Sequence, residues 1–117
     1  MVGGYQRGIS AEATACRALE RDGWTVLAQR LRTAAGEIDI VAATTELLAI
    51  VEVKARPTLA AAALSLGPRQ QARLMAAAEI VLADHPEWAR PGMRFDLLVV
   101  DARGTVRRIA DAFRLEN

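Results

Sequence analysis

Two stretches of the chain set charged residues two apart among apolar, largely β-branched ones. They are Glu37-Ile38-Asp39-Ile40-Val41-Ala42-Ala43 and Leu47-Leu48-Ala49-Ile50-Val51-Glu52-Val53-Lys54-Ala55. This spacing predicts two strands, and the gap between them is short enough for a hairpin. Upstream, Ser10 is a natural N-cap for a helix over Ala11 to Arg21, closed at Gly23, with Ala15, Cys16 and Leu19 on its apolar stripe. Trp24 to Ala28 reads as a short strand, and Gln29 to Ala35 as an Arg-bearing connection leading to Gly36.

Downstream, Pro57 to Leu66 is Ala-rich and fits neither period cleanly. Gly67-Pro68 then opens a second helix, whose inner face is Leu74, Ala77, Ala78, Val81 and Leu82 and which ends at His85-Pro86. Beyond a loop with Trp88, Pro91 and Gly92, the run Phe95 to Val100 predicts a buried strand, and Thr105 to Ile109 an edge strand. The order αβββαβ, with one further strand, predicts an α/β fold in which a mixed sheet is flanked by helices.

With 117 residues and 52% hydrophobic content, a single domain over residues 1–117 is expected. No window approaches the roughly 18 consecutive apolar residues of a membrane span, and Met1 to Ser10 lacks the apolar stretch of a secretory signal. A cytoplasmic protein with no membrane partner is expected. One cysteine, Cys16, and one histidine, His85, cannot build a Cys/His zinc site, so any metal must be held by oxygen. Cys16 suits a small buried position better than a reactive thiol, and His85, before a proline, suits a cap. The net charge of +1 does not by itself announce nucleic-acid binding, but every basic residue except Lys54 is an arginine, suited to phosphate contact.

A hairpin turning about Thr45-Glu46 sets Thr44 opposite Leu47, Asp39 opposite Glu52 and Glu37 opposite Lys54. All four charged side chains then share one face, with Ile38, Ile40, Val51 and Val53 on the other. Directly opposed carboxylates repel, and a divalent cation would turn that repulsion into coordination. Asp39 and Glu52, with the Val53 carbonyl, are the candidate ligands for Mg²⁺ or Mn²⁺. Lys54 could either orient and help deprotonate an attacking water or stabilise the charge of a phosphoryl transition state. The plainer alternative is a solvated face with an exposed Glu37–Lys54 pair worth under about 1 kcal/mol. Glu12, one turn before Cys16, either faces inward or complements the helix dipole.

Four ordered motifs add to this: Gly36-Glu37-Ile38-Asp39-Ile40, Ile50-Val51-Glu52-Val53-Lys54-Ala55-Arg56, Arg94-Phe95-Asp96 and Asp111-Ala112-Phe113. In these the chain resembles the YraN-like group of bacterial endonuclease-like proteins, across nearly its whole length. The resemblance implies a restriction-endonuclease-like core of the PD-(D/E)xK superfamily and a Mg²⁺- or Mn²⁺-dependent nuclease acting on DNA, branched or structured forms included. It places metal ligands on Asp39 and Glu52, the catalytic lysine on Lys54 and an auxiliary acid on Glu12. The group commonly carries a lysine where this chain has Gln70, beside Arg69 and Arg73.

Arg30, Arg32, Arg56, Gln70 and Arg73 are the candidate phosphate contacts, with solvated surface charge as the alternative for the three that flank the hairpin. Arg94-Phe95-Asp96 is expected to lock a strand, with Phe95 buried and Asp96 paired to an arginine. An aromatic content of 4% argues against a base-stacking platform. The competing function is a nucleic-acid-binding module with this fold and little or no turnover. Related nucleases often form a homodimer, but no self-complementary patch is identifiable in the sequence.

Overall fold

The computed structural model describes the chain from Gly4 to Arg114, with side chains from Ala11 onward. Helix α1 covers Gly4–Arg21 and is followed by strands β1 (Thr25–Thr33), β2 (Gly36–Ala43) and β3 (Leu47–Ala55). Helices α2 (Leu59–Leu64) and α3 (Pro68–Asp84) come next, then a short 3₁₀ turn at Pro86–Trp88, and strands β4 (Gly92–Val100) and β5 (Val106–Phe113) close the order. The five strands form one sheet in the order β1-β2-β3-β4-β5, antiparallel except for the parallel pair β3–β4. The α2–α3 segment makes the crossover between those parallel strands, as parallel neighbours require. This is the expected α/β architecture, a mixed sheet flanked by helices and consistent with a restriction-endonuclease-like core. No helix among the described residues is long and apolar enough to cross a membrane.

Several boundaries differ from the sequence reading for identifiable reasons. Helix α1 begins by Gly4, so Ser10 lies inside it and cannot be its cap; the Ser10 side chain lies outside the described residues. Glu12 is therefore well inside the helix, away from the dipole of the first turn. The stretch Gln29 to Thr33, read as part of a connection, is instead the second half of β1. As an outer strand, β1 turns Gln29, Arg30 and Arg32 toward water, so its polar residues mimic a loop. In Pro57 to Leu66, Thr58 caps a one-and-a-half-turn helix by accepting the Ala61 N–H at 3.0 Å.

The sheet carries a core on each side. On one, Ala15, Cys16 and Leu19 of α1 meet Trp24, Ile40, Ala42, Ala49, Val51 and Leu98. On the other, Leu74, Ala77, Ala78 and Val81 of α3 meet Ile38, Val41, Leu48, Ile50, Leu97 and Val99. Cys16 is buried, and His85 both caps α3 and stacks on Trp88 with 3.9 Å between ring centroids. Ile38 and Ile40 thus lie in opposite cores, contrary to the single face expected of them. The β2–β3 ladder ends at Ile40–Val51, and there the Val53 N–H turns from the backbone to the Asp39 carboxylate.

The third and fourth motifs make one structural unit. Phe95 is buried and stacks on Phe113 with centroids 4.5 Å apart. Asp96, 2% exposed, accepts from Arg94 Nε at 3.0 Å and its terminal nitrogen at 2.8 Å, and from the Asp111 N–H at 2.9 Å. Asp111 sits at φ 55°, where β5 shifts register against β4. The opposite outer strand, β1, has a similar irregularity: a register shift between Val26 and Ala28, and Arg30 at φ 52°.

Candidate functional site

The hairpin has the register that the sequence suggested. Ile40 pairs with Val51, Val41 with Ile50, Ala42 with Ala49 and Ala43 with Leu48, and the next step of this register sets Asp39 against Glu52. The strands diverge at that step, so Glu37 is not paired to Lys54; it pairs with Arg32 of β1, and their side chains stand 3.9 Å apart. Asp39 Oδ2 fills the gap by accepting the Val53 N–H at 2.8 Å. Because the N–H and C=O of an extended residue leave on the same side of a strand, the Val53 carbonyl is directed toward this opening as well.

Two carboxyls thus lie together where water is scarce. Burial, reinforced by the Glu52 carboxylate, pushes the Asp39 carboxyl up to about 7, against a lowering contribution from the Val53 N–H. Glu52 is 6% exposed. Its Oε2 accepts from Gln70 Nε2 at 2.9 Å and lies 3.2 Å from Lys54 Nζ, whereas its Oε1 is buried with no hydrogen-bond partner. An orphaned carboxylate oxygen in the interior is costly, and it marks the point at which the site is chemically incomplete.

Gln70 and Arg73, expected as phosphate contacts, turn inward. Arg73 Nε donates to Gln70 Oε1 at 3.2 Å, and Arg73 also donates to the Glu37 carbonyl at 3.2 Å. Its guanidinium lies over Gly36, whose φ is 135°; a Cβ there would come within 2.2 Å of an Arg73 terminal nitrogen. The glycine of the first motif is thus explained by a residue in the third helix. Gly36→Ala is expected to destabilise the protein by about 1–2 kcal/mol in urea melts, through backbone strain and displacement of Arg73. Sequence reasoning did not connect these two positions, and the only signal was a glycine immediately before a charged strand.

The remaining candidates rim the site. Glu12 reaches it from α1: burial raises its carboxyl pKa, Arg30 opposes that rise, and Glu37 and Glu52 add to it. Arg30 Nε stands 4.0 Å from Glu12 Oε1. Arg32 has a side chain 90% exposed on the outer strand. Arg56 donates to the Ala55 carbonyl at 2.9 Å, just beyond Lys54.

Asp39, Glu52 and the Val53 carbonyl supply hard oxygen donors on adjacent strands. Among the described residues no group of three or more His, Cys, Asp or Glu side chains is placed to hold an ion alone. Such a sparse, oxygen-only set suits Mg²⁺ or Mn²⁺, which are commonly held by one or two carboxylates with water and phosphate completing the shell. The unpartnered Glu52 Oε1 and the protonation-prone Asp39 are what such a cation would relieve.

Residues 11–100 match the family described as "Uncharacterised protein family UPF0102". The chain belongs to the UPF0102 family. The match spans every site residue from Glu12 to Arg73. It also agrees with the YraN-like resemblance of the motifs. Similar UPF0102 proteins include one from Granulibacter bethesdensis, 63% identical over 109 residues, which cover 93% of this chain and 69% of that protein. Another from Acidiphilium cryptum is 49% identical over 111 residues, covering 95% and 86% respectively, and one from Azorhizobium caulinodans is 48% identical over 112 residues, covering 96% and 86%. The UPF0102 name assigns no reaction, so an activity has to be argued from the site.

Proposed function

We propose that this UPF0102 chain is a metal-dependent nuclease that hydrolyses phosphodiester bonds in DNA, branched or structured DNA among its substrates. The observation that carries this reading is the half-buried Asp39 set against the buried Glu52, with Oε1 of Glu52 unpartnered and Lys54 Nζ 3.2 Å from Oε2. A bound Mg²⁺ or Mn²⁺ would supply positive charge to the scissile phosphate and acidify the attacking water. Asp39, Glu52 and the Val53 carbonyl would hold it. Lys54, anchored by Glu52, is positioned to orient that water or to neutralise charge building on the phosphate oxygens. Glu12 extends the acidic wall, and Arg30, Arg32 and Arg56 offer cations along its rim.

The test is cleavage of duplex, single-stranded and branched DNA and of RNA, with and without Mg²⁺ or Mn²⁺, by wild type, Asp39→Ala and Lys54→Ala. Metal-dependent cutting lost in both variants supports the site; activity that survives both overturns it. Salt-dependent DNA binding without any cleavage favours a binding module with this fold. Arg32→Ala is expected to weaken binding evenly across sequences and to reduce the slope of log K against log salt by about one. An unchanged slope would show that Arg32 does not meet phosphate.

A further inference from the structure

We infer that Arg73 is a positioning residue, which acts through Gln70 to leave Glu52 with one fixed free oxygen. The inference rests on the nuclease reading above and goes beyond it by assigning a task to a side chain that touches neither metal nor DNA. An amide can present either its oxygen or its NH₂ to a neighbour, and against a carboxylate only the NH₂ is favourable. The Arg73 guanidinium is a donor with no acceptor, so the Gln70 atom that faces its Nε at 3.2 Å must be the oxygen. The NH₂ then faces Glu52 Oε2, at 2.9 Å. Lys54 meets the same oxygen at 3.2 Å, so both nitrogen donors act on Oε2 and neither acts on Oε1.

Arg73 is itself immobilised. It donates to the Glu37 carbonyl at 3.2 Å, and the missing Cβ of Gly36 gives its guanidinium the space it fills. The relay therefore runs from the start of β2, through two side chains of α3, to the middle of β3. It fixes the rotation of the Glu52 carboxylate and presents Oε1 as a single-oxygen ligand, the form that a small octahedral cation accepts. Without Arg73 the amide loses the donor that anchors its oxygen and can swing away from Glu52, and the carboxylate loses its orientation.

Mn²⁺ binding to the full chain, followed by the EPR signal of free Mn²⁺, tests this on Arg73→Met, Gln70→Leu, their double variant and Arg73→Lys. Arg73→Met and Gln70→Leu are each expected to weaken Mn²⁺ by about tenfold. The double variant should be no weaker than Gln70→Leu, because Arg73 works only through that amide. Arg73→Lys, still a donor with no acceptor, should retain most of the affinity. In metal-free protein, the Gln70 side-chain NH₂ protons should exchange with water several-fold faster in Arg73→Met than in wild type. Losses that add in the double variant, or a Gln70 amide equally protected without Arg73, overturn the relay. A wild type that binds no Mn²⁺ defeats the nuclease reading instead, and the amide signals then decide the relay alone.

Discussion

At pH 8 without metal, Asp39→Asn protein is expected to melt above wild type and to cut no DNA. The two effects have one origin. Burial and the Glu52 carboxylate raise the Asp39 carboxyl from 3.8 to about 7. The folded chain thus holds a proton that the unfolded chain releases near pH 4. A raised folded pKa stabilises below the unfolded value, and that stability is lost as pH rises through the folded one. Wild type should therefore lose stability between about pH 4 and pH 7 from this group and remain penalised above it. The interval between the two values sets a ceiling of about 4 kcal/mol, which residual solvation and sharing of the proton with Glu52 reduce to ~1–3 kcal/mol. Asparagine is neutral, and its oxygen can still accept the Val53 N–H, so it removes the repulsion and retains the hydrogen bond. Thermal melts from pH 4 to 9 measure the difference. Added Mg²⁺ should stabilise wild type more at pH 8 than at pH 6 and should leave Asp39→Asn unmoved. A variant no more stable than wild type at pH 8 would mean that the carboxyls do not strain one another.

The second large effect lies away from that cluster. Asp96→Ala is expected to destabilise the protein by about 3 kcal/mol, the low end for a broken buried pair because the Arg94 guanidinium still reaches water. Three hydrogen bonds are lost at once, two from Arg94 and one from the Asp111 N–H. Asp96→Asn should lose less, since an amide oxygen can still serve Asp111. Urea denaturation gives the values, and below the melting range any metal-dependent cleavage should be unaffected. Activity lost in folded Asp96→Asn would contradict a purely structural role.

Much of this was legible in the chain, for reasons that differ from element to element. The charged residues set two apart in Glu37 to Ala43 and Leu47 to Ala55 located β2 and β3, and a turn about Thr45-Glu46 implied the register that sets Asp39 against Glu52. Gly67-Pro68 and the apolar spacing from Leu74 to Val81 placed α3 to the residue. Outer strands were harder. Half of β1 resembled a loop because one edge is solvated, and β5 runs on to Phe113 beyond the expected Ile109 because its register shift interrupts the period. The roles of Gln70 and Arg73 were illegible for another reason: near a helix start both look like surface cations or donors. What turns them inward is Glu52, 18 positions from Gln70, and a space left by Gly36.

The irregular outer strands have a consequence for how copies of this chain meet. An open sheet exposes a row of unsatisfied N–H and C=O groups at each rim, which invites neighbouring chains to add strands and grow fibres. Here Arg30 on one rim and Asp111 on the other sit in a left-handed backbone conformation that an L-residue rarely adopts, each on a strand whose register is shifted. Those kinks deny an incoming strand a continuous ladder at either rim of the sheet.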